Sequence, residues 1–133
     1  MGARQQFKIN KYDWDVIIYY TVDDSQKSEI TECLQKMGCK DDTLESIKSN
    51  LYKAAPDTGF IYSNYMNKQS LLVVHKASSI GEFINTFEHE KNHLEMHICE
   101  TLDINPYSER AAILSGELAQ QILEEALCSV SNL

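Results

Sequence analysis

Residues 79–102 read Ser-Ile-Gly-Glu-Phe-Ile-Asn-Thr-Phe-Glu-His-Glu-Lys-Asn-His-Leu-Glu-Met-His-Ile-Cys-Glu-Thr-Leu. Ser79 with Glu82 three residues later forms a capping box, and no breaker follows, so a helix is expected from Ile80 to about Leu102. At 100° per residue, Ile80, Phe83, Ile84, Phe87, Leu94, Ile98 and Leu102 fall on one broad stripe, the expected core face. Glu82, His89, His93, Met96 and Glu100 lie on the other side. The histidines are therefore expected off the core stripe.

Upstream, Gly59–Tyr65 and Ser70–Lys76 read as two strands joined through Met66–Gln69 in a hairpin. Two helices are expected before them. One runs from Ser25 to Met37, with Ile30, Cys33, Leu34 and Met37 on a stripe; the other runs from Thr43 to Ala54, with Leu44, Ile47 and Leu51. Gly38 supplies the stop and Asp41-Asp42 the next N-cap. Trp14–Thr21 is β-branched and aromatic, a strand expected to be buried mostly on one face. Residues 1–10 are read as a flexible N-terminus. Downstream, Asn105 as N-cap and Pro106 in the first turn predict a last helix running to about Val130, long enough to pack across the histidine face. Without repeats or linkers, the expectation is one α+β domain over residues 1–133.

The chain has 133 residues, with 20 acidic and 12 basic side chains and a net charge of -8. The basic residues are scattered, which argues against a phosphate backbone as partner, so no nucleic-acid role is expected. Cys33, Cys39, Cys99 and Cys128 contain no Cys-x-x-Cys pair and follow no apolar secretory segment; Cys33 and Cys99 read as core thiols. The apolar runs Val16–Tyr20 and Leu71–Val74 are far below the roughly 20 residues that cross a bilayer. The start Met-Gly-Ala-Arg-Gln-Gln lacks the Ser or Thr of a myristoylation signal. The expectation is a reduced, cytoplasmic protein with no membrane association. No heptad pattern demands self-association, and the oligomeric state is left open.

Residues 89–93, His-Glu-Lys-Asn-His, spell His-Glu-x-x-His on the expected helix. Imidazoles four residues apart share a helix face and can both hold Zn²⁺, while the intervening Glu acts as general base on a metal-activated water. His89 and His93 are thus candidate metal ligands, and Glu90 is the candidate catalytic residue. The plainer reading is a solvated face with clustered histidines. A catalytic zinc usually has three protein ligands. His97 is a poor third, because eight residues of helix separate it from His89 by about 12 Å of rise. Glu100 fails on the same ground. Glu109, in the expected first turn of the last helix, is the best candidate, with Glu117 a distant substitute. Ala112, Ser115 and Gly116 are small enough to let two helices approach. The plainer reading of Glu109 is a carboxylate at the positive end of a helix dipole.

With His-Glu-Lys-Asn-His at 89–93 and Ser-Glu-Arg-Ala-Ala-Ile-Leu-Ser-Gly at 108–116, the sequence resembles the zincin-like metallopeptidases. It is more closely similar to a group of small proteins of gut Bacteroides-type bacteria and their phages. Lys11-Tyr12-Asp13-Trp14-Asp15-Val16 extends the likeness over most of the chain. The resemblance implies a single zincin-like domain in which a small sheet carries an active-site helix and a backing helix that brings Glu109. The sequence departs from the group at Ala112-Ile113, where an aromatic is expected, and in the extra His97. The expected function is a zinc-dependent hydrolase, most simply a metallopeptidase acting on a peptide or protein. Tyr62, Tyr65, Tyr107, His75 and His97 are candidates to stabilise an oxyanion. The alternative is a zincin-like pseudo-enzyme or a phage or mobile-element interaction protein with a structural zinc, His97 or Glu117 then serving as fourth ligand.

Overall fold

Strands β1 (Ala3–Ile9), β2 (Trp14–Tyr20), β3 (Gly59–Asn64) and β4 (Gln69–Val74) form one sheet in the order β1-β2-β4-β3 in the computed structural model, which describes residues 2–128. β1 and β2 pair antiparallel, with Phe7 opposite Val16. β2 and β4 run parallel, with Val16 beside Ser70, and β3 returns antiparallel to β4, with Ser63 opposite Ser70. A parallel pair needs a long crossover. Helices α1 (Asp24–Lys36) and α2 (Asp41–Lys53), followed by β3, occupy it. Helices α3 (Ile80–Thr101) and α4 (Glu109–Cys128) complete the chain. The molecule is mixed α+β, a four-stranded sheet with four helices.

Period-two alternation sorts the sheet's side chains into two cores. Trp14, Val16, Ile18, Tyr20, Leu72 and Val74 meet Phe83, Phe87, Leu94 and Ile98 of α3 and Leu114, Leu118 and Ile122 of α4. Tyr19, Leu71 and Val73 point the other way, onto Ile30 and Leu34 of α1 and Leu44 and Leu51 of α2. β2 is therefore covered on both faces rather than mostly on one. Its unbroken run Val16–Tyr20 is what an interior strand of a two-sided sheet carries.

Residues 3–9 are not a flexible arm. Ala3, Gln5, Phe7 and Ile9 turn inward while Arg4, Gln6 and Lys8 are exposed, and those polar alternates dilute the apolar signal of an edge strand. The last helix starts later than Asn105. Asn105 Oδ1 instead accepts from the Tyr107 amide in a turn, and Ser108 Oγ caps the helix by accepting from the Ala111 amide. The expected end at Val130 lies outside the described residues. On α3 the core face is rotated from the expected stripe. Ile80 and Ile84 are exposed, whereas Glu90 and Lys91 are buried, because this helix packs against a sheet edge and a second helix at once.

His75, at the end of β4, is 1% exposed beneath α2. Its Nε2 donates to Asn50 Oδ1 at 3.1 Å, and its Nδ1 has no partner among the described residues. Burial, and then the charge of Lys27, push its pKa below 6.5. The folded state thus binds fewer protons than the unfolded chain. This contribution to stability is complete above about pH 6.5 and is lost as pH falls, with a limiting slope of about 1.4 kcal/mol per pH unit. Urea unfolding between pH 7.5 and 5 is expected to show that loss in the wild type and a flatter profile in His75→Gln.

Candidate metal centre

Ser79 Oγ accepts from the Glu82 amide at 3.1 Å and starts α3, which then runs unbroken for 22 residues. One turn of rise brings His89 and His93 together on its outer face. Their Nε2 atoms lie 3.2 Å apart and their ring centroids 4.8 Å apart. Two nitrogens bound to one tetrahedral ion at about 2.0–2.1 Å sit roughly 3.3 Å from each other. The contact is an N–H···N hydrogen bond between the rings, and the same spacing lets both nitrogens hold one cation, a donor set that suits Zn²⁺.

Glu90 points inward from the same turn. It is 6% exposed, and its carboxylate and the two imidazole nitrogens lie within 4.8 Å of one another. Burial raises its pKa, against the opposing pull of His89 and His93. Gly59, at the start of edge strand β3, lets the helix come this close. A Cβ there would lie 2.5 Å from the Val73 carbonyl oxygen, 3.2 Å from Thr86 Cγ2 and 3.4 Å from Glu90 Cγ. Thr86 Oγ1 donates to the Asp57 carbonyl at 3.1 Å and ties the helix to the preceding loop. Asp57, Thr58, Gly59, Asn85, Thr86, His89 and Glu90 line a cleft of about 260 Å³. Gly59 and the Asp57 loop carried no sequence signal, because the close approach joins segments far apart in the chain.

His89, Glu90 and His93 form the one group of three or more metal-capable side chains among the described residues. Glu109 is not brought to it. Helix α4 packs along a different side of α3 than expected, and Glu109 is exposed in its first turn. Ser108, Ala111 and Ser115 instead line a groove of about 320 Å³ with Glu95, Met96 and Cys99. A polar tie across that packing is Lys91, 4% exposed, whose Nζ reaches Glu95 at 2.5 Å, Ser115 Oγ at 3.3 Å and Glu88 at 3.8 Å. Glu88 and Glu95 belong to α3 itself and Ser115 is the partner that α4 supplies, while Leu114, Leu118 and Ile122 of α4 join the core with Leu94 and Ile98 of α3. Glu117, the substitute ligand, is likewise exposed and outside the group.

His97 lies one turn beyond His93, with ring centroids 6.3 Å apart. Its Nδ1 is 2.7 Å from Ser63 Oγ on β3, and the edge of Tyr65 packs against it with centroids 5.3 Å apart. Burial and the neighbouring His93 lower its pKa, with Glu100 opposing. The other oxyanion candidates are placed elsewhere. His75 and Tyr62 pack on the far side of the sheet, beside α2 and the second core, and Tyr107 is 95% exposed.

No protein-family model matches the chain, and no curated protein or solved structure matches it. No helix among the described residues is long and apolar enough to cross a membrane.

Two substitutions test this architecture. Gly59→Ala forces a Cβ against backbone and is expected to cost about 1–3 kcal/mol in denaturant unfolding. Lys91→Ala leaves Glu95 without its closest cation and is expected to cost roughly 3 kcal/mol. A change in either variant below about 0.5 kcal/mol, the size of an ordinary surface substitution, would contradict the packing described.

Proposed function

We propose that this protein is a small zinc-dependent hydrolase, most simply a zincin-like metallopeptidase acting on a peptide or protein. The reading rests on one observation: two imidazole nitrogens 3.2 Å apart on the helix surface, with a buried carboxylate from the adjacent residue beside them. His89 and His93 hold the ion. Bound Zn²⁺ supplies an acidified water and polarises a carbonyl oxygen. Glu90 is the general base. Its burial raises its proton affinity, as suits a group that takes a proton from water and passes it to a leaving amine. With Glu109 outside the group, His89 and His93 are the two imidazole donors that the described residues would offer the ion, one fewer than the three protein ligands of a usual catalytic zinc.

Elemental analysis of protein purified without added metal is expected to give one zinc per chain, lost in His93→Ala and retained in Glu109→Ala. Glu90→Gln is expected to keep the zinc and to lower cleavage of a mixed peptide library by about 10²–10⁴-fold. A protein that neither holds zinc nor gains thermal stability from it would refute the proposal. Zinc retained without cleavage of any peptide by the wild type would favour a metal-binding module without turnover.

A further inference from the structure

A second polar chain runs through the core to the margin of this site, and one direction along it satisfies every member. Trp14 Nε1, fully buried, can only donate, and it donates to Ser70 Oγ at 2.9 Å. Ser70 is 1% exposed, and its remaining hydroxyl partner among the described residues is Ser63 Oγ, 2.6 Å away. Ser63 Oγ in turn lies 2.7 Å from His97 Nδ1. If His97 Nδ1 donated to Ser63, Ser63 would either pass its own hydrogen to Ser70, which would then receive two and have nowhere to place its own, or accept from both neighbours and turn its hydrogen out of the chain, where it has no partner among the described residues. Buried hydroxyls avoid either arrangement. The opposite arrangement satisfies every member: Trp14 donates to Ser70, Ser70 to Ser63, and Ser63 to His97 Nδ1.

We infer that His97 is a fixed hydrogen-bond donor beside the histidine pair and not a third metal ligand, held as the neutral Nε2–H tautomer by Trp14, Ser70 and Ser63. Its Nδ1 lone pair is committed to Ser63 and its Nε2 carries the proton, so neither nitrogen is offered to a cation. What His97 offers is an N–H for an acceptor oxygen. The ligand class it favours at this site is therefore a carboxylate, carbonyl or developing oxyanion, with Trp14, Ser70 and Ser63 as positioning residues. Only the metal neighbouring it rests on the function proposed above.

The tautomer is read directly by two-bond ¹⁵N–¹H correlation on the metal-free protein near neutral pH. His97 is expected to be protonated at Nε2 alone. Ser63→Ala is expected to give a mixture of tautomers at His97 while leaving His75 unchanged. An Nδ1–H signal for His97 in the wild type would overturn the inference. Titration with zinc alone is expected to give affinities for wild type and His97→Ala that differ by less than about a hundredfold, the range a residue outside the ligand set accounts for; a larger loss would make His97 a ligand and equally overturn it. In zinc-loaded protein, acetohydroxamate is expected to bind about tenfold more weakly to His97→Ala, the loss of one hydrogen bond, and to recover in His97→Gln. Unchanged binding in His97→Ala would refute the donor role. If the wild type binds no zinc, the proposed hydrolase fails, and the tautomer of the metal-free protein still decides the role of His97.

Discussion

The parallel pairing of β2 with β4 is the constraint on which the remaining architecture rests. One long crossover separates these strands in sequence, and their apolar runs can be dried on both faces only if helices lie above and below. α1 and α2 lie within the crossover and cover one face. α3 and α4 follow β4 and cover the other. β3, which comes between them, is left as an edge strand facing α3, and the candidate centre forms along that edge.

At this centre the helix departs from simple amphipathicity. A 22-residue helix on a sheet would ordinarily bury apolar side chains alone, yet α3 buries Glu90 and Lys91 at adjacent positions. The two charges are handled differently. Lys91 is surrounded by Glu95, Glu88 and Ser115 and serves as a fastening between two helices. Glu90 has no protein hydrogen bond among the described residues and faces a small cleft beside two imidazoles. A compensated charge reads as structure. A carboxylate without a hydrogen bond among the described residues, its charge offset only by His89 and His93 and its place held by the packing of Gly59 and Thr86, is the kind of local inconsistency that folds tolerate at sites of chemistry.

The sequence foretold some of this and concealed the rest, for physical reasons. β2, the β3–β4 hairpin, both early helices and α3 follow from local patterns within a single element, and each falls close to its expected bounds. β1 was hidden because Arg4, Gln6 and Lys8 interrupt its apolar alternation on an edge that water can reach. The His89–His93 pair was legible because its geometry depends on one helical turn. Glu109 was misplaced because its position depends on which side of α3 attracts α4. Lys91 is buried on that side, and a lysine in a polar helix segment gives no warning that it will be buried. Gly59 and the Ser63–His97 contact were invisible because each joins residues brought together only by the sheet.

The same difference between local and distant contacts has a consequence for how the site comes into being. The two imidazoles approach each other whenever a single turn of α3 is helical, on the timescale of helix formation. The cleft around Glu90 and the chain from Trp14 to His97 exist only after β4 has paired with β2 and β3 has docked along the helix, contacts of high sequence separation that form slowly. Affinity for a cation and the environment that would put the cation to use are thus separate acquisitions of the chain, the first belonging to a helix and the second to the completed fold.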